Sequence, residues 1–429
     1  MMKRPSLAFP TFFRRLAAVL LTVSTAACSS APVPRSFPVS LESESTLEAN
    51  ASQSPDSTEV VPLTPTPAEV QAPTSAPAEK LTPAGSTDPF KAIQLAWFYH
   101  APPYDLENPQ ALADNFRLFI SSPTMEDQHE EMKSLGAQGP FLMYMLFNEI
   151  YEPENCEEQP HTNQIADRPG DFCDIDQNHP DWFLTDSDGN RIHNVEPYTD
   201  YWFMDPGNPG WREFWLGRMR EKESLGWDGF FLDNLETRPR VKMDKVNLPN
   251  YPTVESYQQA IIGFLQLIYA DFQPKGVKVF ANILDTEELN DWMQYIPYLD
   301  GAFLENFAVD WAKDEYLDVE TWNMQLEMIQ QTQAQGKDVV LVAQGNQDDA
   351  KRQEFAFATY LLAQEGKAYF RYTFYDDYDS LWLYMNYLYN PGRPLNEAYK
   401  QGNVWKRDFE NGQVIVDPKK HTAKINMSK

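Results

Sequence analysis

A chain of 429 residues with a formal net charge of −28 has room for one large domain or two medium ones, and its field repels phosphate backbones, which argues against nucleic acid as a partner. Aromatic residues make up 14% of the chain, with 11 Trp among them. Flat rings suit both protein cores and the faces of sugars, so the composition permits a carbohydrate site without requiring one.

The first 28 residues read as an export signal. Lys3, Arg4, Arg14 and Arg15 form a basic lead, Leu16 to Val23 an apolar stretch too short to span a bilayer, and Ala26-Ala27-Cys28 a small-residue end. The ending resembles a bacterial lipobox with Cys28 as the lipidated residue, although Thr25 stands where Leu is usual. The expected location is the cell envelope, held to the membrane through Cys28, with plain secretion as the alternative; the Arg14-Arg15 pair leaves a twin-arginine signal open. Residues 29–87 are rich in Pro, Ser, Thr, Ala and Glu and cannot bury enough apolar surface to offset chain entropy, which predicts a disordered tether. The folded part is expected to begin near Asp88, with a barrel over 88–400 and a C-terminal β extension and tail over 401–429.

Ile93 to Tyr99 is the first predicted strand, and Phe141 to Phe147 the second after a helix over Met125 to Leu135. A long insertion from Asn148 to about Thr199 follows. It carries Cys156 and Cys173, which either pair in an oxidising compartment, at about 3 kcal/mol of loop-closure stabilisation, or stand as free thiols. Within it, HPDWFLTDSDGNRIHN predicts two short strands around an Asp-Gly turn. Asp174, Asp176 and Asn178 mimic the start of a calcium loop, but His179 replaces the needed Gly, so they read as solvated acids. Tyr201 to Asp205 is the third predicted strand, DGFFLDN (228–234) the fourth, Val277 to Ile283 the fifth, DGAFLEN (300–306) the sixth, Asp338 to Ala343 the seventh and Lys367 to Tyr372 the eighth. Helical patterns separate them, and an eighth helix is expected over Asp379 to Tyr389. Eight strands alternating with helices predict an α/β fold, a (β/α)8 TIM barrel with a long loop insertion after strand two; no Gly-rich phosphate loop supports a doubly wound sheet. Val404 to Pro418, with its Asn411-Gly412 turn, predicts a short C-terminal β extension.

Active sites of such barrels lie at the C-terminal ends of the strands. DGFFLDN and DGAFLEN echo each other there. Alternation puts Asp233 on one face with Phe231 and Glu305 on one face with Phe303, so each aromatic is expected inside the barrel with a carboxylate above it. Paired carboxylates at about 5 Å or 6.5–9.5 Å cleave glycosidic bonds with retention or inversion respectively. Asp233 is assigned as nucleophile or base because its shorter side chain, beside Asn234, favours the ionised form; Glu305 is assigned as acid/base, its pKa raised if Phe303, Phe307 and Trp311 enclose it. Expected substrate contacts are Trp97, Tyr99, His100, Asp205, Asn234, Asn282, Asn306, Gln344 and Arg371, all at or near strand ends.

The block WFMDP, DGFFLDN, FANI, DGAFLEN, with the HPDWFLTDSDGN insertion and the closing NGQVIVDP, resembles glycoside hydrolases of (β/α)8 fold related to endo-α-1,4-polygalactosaminidases, over roughly residues 90–418. The resemblance implies an Asp at the end of strand four, matched by Asp233, and a Glu farther along. The pattern has that Glu after strand five, where Glu287 or Glu288 stands. Glu305 is placed ahead of both because its strand position mirrors that of Asp233. The expected activity is hydrolysis of an extracellular or envelope polysaccharide without a cofactor; a barrel that binds polysaccharide without turnover is the alternative. Metal catalysis would need histidines at strand ends, and only His100 is so placed.

Overall fold

The computed structural model describes residues 88–99, 108–195, 198–238, 248–310, 315–375, 378 and 380–427. The export signal with Cys28, the tether, His100 and Trp311 lie outside the described residues. Eight strands, β1 (Leu95–Tyr99), β2 (Phe116–Ser121), β3 (Phe141–Leu146), β6 (Gly229–Glu236), β7 (Lys278–Leu284), β8 (Gly301–Leu304), β9 (Asp338–Gln344) and β10 (Ala368–Thr373), close into a barrel in which all neighbours are parallel. The two remaining strands of this region, β4 (Glu149–Tyr151) and β5 (Tyr201–Phe203), pair antiparallel with each other outside the barrel.

The expected barrel is therefore present, with two of its strands reassigned. Tyr201 to Asp205 is not the third barrel strand, because its ladder partner is β4 at the foot of the insertion. The count of eight is restored by β2, FRLFIS, which stands second in the barrel, makes Phe141–Leu146 the third strand, and follows the helix Pro109–Asn115 with no residue between. DGFFLDN remains fourth around the barrel, and the long insertion follows the third strand rather than the second. The stretch read as an eighth helix holds a short 3₁₀ turn, Met385–Leu388.

Both Asp-Gly strand starts have one physical cause. Asp228 accepts the backbone N–H of Phe141 at 2.8 Å, and Asp300 accepts that of Val279 at 2.9 Å, so each carboxylate satisfies a donor in the first two residues of a neighbouring strand. A Cβ at Gly229 would lie 2.2 Å from the Lys278 carbonyl oxygen, and one at Gly301 would lie 2.2 Å from the Phe280 ring. Only glycine admits the close approach. Inside the barrel, Phe98, Leu118, Tyr144, Phe231, Phe280, Phe303 and Val340 fill the core. Ring centroids of Phe231 and Phe303 are 5.1 Å apart, edge to face, as the matched strands predict.

The outer faces of the strands pack against helices. The helix Val254–Phe272 buries Ile261, Phe264, Leu265 and Ile268, the spacing of a single apolar stripe, and a capping box of Thr253 and Ser256 starts it. Its length is 19 residues, yet among the described residues no helix is long and apolar enough to cross a membrane. Cys156 and Cys173 form a disulfide in the insertion, with Cα atoms 5.8 Å apart. Asp174, Asp176 and Asn178 lie on the helix Asp171–Asn178 rather than in an ion-binding loop, and among the described residues no acidic or histidine cluster has the makings of a metal site. The Asp-Gly turn of the insertion is tied by Asp186, which accepts the backbone N–H groups of Asp188 and Asn190. At the C-terminus the extension is larger than a hairpin: β11 (Tyr399–Gln401), β12 (Val404–Phe409), β13 (Gly412–Asp417) and β14 (Thr422–Met427) form an antiparallel sheet.

Candidate active site

Asp233 sits on a bulge. Leu232 pairs with Ala281, but the next pairing is Leu235 with Ile283, so β6 carries one residue more than β7 between these two points. Asn234, at φ 57°, takes the left-handed conformation, and Leu235 consequently joins the outer core instead of pointing inward. The bulge leaves the Asp233 carboxylate half-buried at the C-terminal rim, above the ring of Phe231.

Three donors converge on this carboxylate: the Tyr144 phenol on Oδ2, the Asn282 side-chain amide on Oδ1 at 3.0 Å, and the backbone N–H of Asn234 on Oδ1 at 2.9 Å. Such a ring of donors suits an anion. The same Asn282 nitrogen donates to Glu305 Oε2 at 3.1 Å. One nitrogen bonded to both oxygens cannot leave them more than about 6 Å apart, which brings the two carboxylates within range for work on one glycosidic bond. On its other oxygen Glu305 accepts the Tyr378 phenol at 2.7 Å, and Gln344 donates to the Tyr378 oxygen at 2.7 Å. Burial, reinforced by the charges of Asp233, Glu305 and Glu149, pushes the Tyr144 phenol well above the usual tyrosine range, so it remains a proton donor.

Of the residues expected here, Asp233, Glu305, Asn282 and Gln344 come together, with Asn234 adjoining through its backbone. Three others do not join them. Trp97 is 3% exposed and packs edge-on to Phe116, 5.1 Å between centroids, among residues of the surrounding helices; alternation on β1 turns Ala96 and Phe98 inward instead. Asp205 ends the non-barrel strand region and accepts from Tyr251, from Asn250 at 3.1 Å and from the Gly207 N–H at 2.8 Å, which holds a loop. Asn306 turns to the outer helix Val319–Ala334, where Gln325 donates to its side chain at 3.2 Å and its carbonyl at 3.1 Å.

Arg371, a fourth, is buried. Its guanidinium lies 4.6 Å from the Trp97 ring centroid and donates to the carbonyls of Tyr378 at 3.2 Å and Ser380, so it holds the loop that delivers Tyr378. Tyr99 closes β1 opposite Ser121. Glu287 and Glu288 lie in the exposed stretch after β7; Glu287 pairs with Arg238 at 3.2 Å, and Glu288 caps the short helix Leu289–Met293. Phe303 lies beneath the site as expected, whereas Phe307 belongs to the outer core. Two residues of the site, Tyr144 and Tyr378, were not foreseen. Tyr144 was legible in principle, since it falls two positions after Leu142 on the inward face of β3; Tyr378 lies on a loop and left no periodic signal.

A family model described as hypothetical glycosyl hydrolase family 15 (GHL15) matches residues 141–413. Among solved structures, the glycoside hydrolase domain of PelA from Pseudomonas aeruginosa is similar at 17% identity and a TM-score of 0.46, over 67% of this chain and 97% of that one. Ega3 of Aspergillus fumigatus, in complex with galactosamine, is similar at 12% identity and 0.42, over 67% and 92%. The α-galactosidase TtGalA of Thermus thermophilus is similar at 13% and 0.43, over 77% and 67%. No curated protein matches the chain.

Proposed function

Because this chain belongs to hypothetical glycosyl hydrolase family 15, we propose that its barrel hydrolyses glycosidic bonds of an extracellular or envelope polysaccharide, with Asp233 and Glu305 as the working pair. The observation that carries the reading is the shared Asn282 nitrogen, which keeps one oxygen of each carboxylate within about 6 Å of the other, and the steps are written for a retaining pair. In the first step an Asp233 oxygen attacks the anomeric carbon, the bond to the leaving oxygen breaks, and Glu305 gives that oxygen its proton. In the second step Glu305 takes a proton from water, the water oxygen bonds to the anomeric carbon, and the bond to Asp233 breaks. Tyr144 and Asn282 hold the Asp233 carboxylate through hydrogen bonds, while Tyr378 and Asn282 orient Glu305.

The motif resemblance to polygalactosaminidase-related hydrolases directs the substrate search first to cationic amino-sugar polymers, which the −28 net charge would attract. The chain is read as exported and either anchored through Cys28 or secreted. Purified protein assayed on a glycan panel that includes α-1,4-galactosamine oligomers tests the reading: release of new reducing ends supports it, and binding without release would make the barrel a carbohydrate-binding module instead.

A further inference from the structure

Glu149 is 3% exposed, a carboxylate at the start of β4 where the chain enters the insertion after β3, and it takes no part in the hydrolysis described above. Its Oε1 accepts the Asn234 side-chain amide at 2.9 Å, and its Oε2 accepts the Asn194 side-chain amide at 2.7 Å. Asn194 belongs to the insertion and its orientation is fixed, because its own oxygen accepts the Val195 N–H at 2.8 Å and its backbone N–H donates to the Tyr201 carbonyl at 2.7 Å. Burying a carboxylate costs far more than burying an apolar side chain of the same size unless donors meet it. Here the donors include two amides, one from the insertion and one from the residue that follows Asp233.

We infer that Glu149 is a positioning residue for Asp233, acting by clamping Asn234 in the left-handed bulge; the inference rests on the hydrolase reading proposed above. The bulge demands a positive φ, which glycine adopts freely and Asn adopts at a cost. Once Asn234 is so turned, its backbone N–H faces Asp233 Oδ1 at 2.9 Å and helps fix the carboxylate rotamer. Glu149 holds that conformation from the side chain, and Asn194 holds Glu149. The insertion thereby reaches the reacting centre through the path Asn194, Glu149, Asn234, Asp233.

The test uses the full chain and α-1,4-galactosamine oligomers. Glu149→Gln keeps the shape but has one acceptor for two amide donors, so kcat should fall about 10²-fold with KM unchanged, the signature of a misplaced reacting group. In an Asn234→Gly background, where the backbone favours the left-handed turn without the clamp, the same substitution should cause no further loss. An equal loss in both backgrounds would overturn the inference, since Glu149 would then act other than through Asn234. Hydrogen exchange read by mass spectrometry gives an arm independent of activity: Glu149→Gln should raise exchange in a peptide covering 229–236. Exchange that rises only in the 183–203 hairpin, or nowhere, would reduce Glu149 to a brace of the insertion. If the wild-type chain does not cleave the oligomers, the hydrolase reading loses its substrate, and the exchange arm still decides whether Glu149 clamps the bulge.

Discussion

Tyr378 and Glu305 are 73 positions apart in sequence, and the phenol of the first donates to the carboxylate of the second at 2.7 Å. Its ring also packs against Phe98, 5.1 Å between centroids, which anchors it to the barrel interior independently of that bond. Tyr378→Phe should therefore retain the fold and lower kcat about tenfold by releasing Glu305 from its orienting donor. Steady-state kinetics beside a thermal melt checks this; a lowered melting temperature with normal kcat would assign the tyrosine to packing alone.

Asp233→Asn and Glu305→Gln should each lower turnover by several orders of magnitude on a natural glycan, because each is isosteric and removes a charge or a titrating proton. Glu305→Gln should be mildest with an activated aryl glycoside, whose leaving group needs little protonation. Glu287→Gln and Glu288→Gln, in the exposed stretch after β7, should change little. A Glu287 or Glu288 variant that abolishes activity while Glu305→Gln retains it would move the acid to that stretch.

His129 supplies a pH dependence of stability. It packs between Trp227, 3.9 Å between ring centroids, and Phe141, and burial, followed by the nearby Lys133 charge, lowers its pKa from 6.5 to about 3. Between those values the unfolded chain binds a proton that the folded chain does not, so this group's stabilisation is complete above pH 6.5 and declines as the pH falls toward 3. From pH 7 to pH 5 it should remove about 2 kcal/mol. Urea unfolding at the two pH values should reveal the difference, and His129→Phe should reduce it.

The Cys156–Cys173 bridge closes a loop whose ends are 17 positions apart. Replacing both with Ser should cost about 3 kcal/mol by loop-closure entropy. Unfolding of wild type with and without reductant, compared with the double Ser variant, measures it; a reductant-insensitive midpoint would show that the loop is already ordered without the bond.

Much of this barrel was legible because β6 to β10 are short apolar runs bounded by turn residues and separated by amphipathic helices. β2 escaped notice because Asn115 ends a helix and Phe116 begins the strand, with no connecting loop between the two. Tyr201 to Phe203 looked like a barrel strand because alternation and composition do not encode a partner, and its partner proved to be Glu149–Tyr151, across the insertion. That Asp233 and Glu305 come to lie beside one another was readable from repetition alone. Trp97 was misplaced by proximity to a strand end, since nearness to the rim does not say which face a side chain takes. The bulge at Asn234, the clamp from Glu149 and the delivery of Tyr378 are products of tertiary contacts, which leave no local pattern.

The C-terminal sheet changes where the protein can be cut. Arg407 on β12 is 1% exposed; it donates to the carbonyls of Leu362 at 2.9 Å and Gln364 at 2.7 Å and pairs with Glu365 at 2.5 Å, so it stoppers the otherwise open end of the helix Ala350–Ala363. The sheet beyond residue 400 thus shares an interior with the barrel's outer layer. A recombinant fragment ending there would lose the arginine that finishes the barrel's last long helix, expose its terminal carbonyls and the apolar strip beneath Val414 and Val416, and be prone to aggregate, whereas affinity tags belong beyond Met427 or ahead of Asp88.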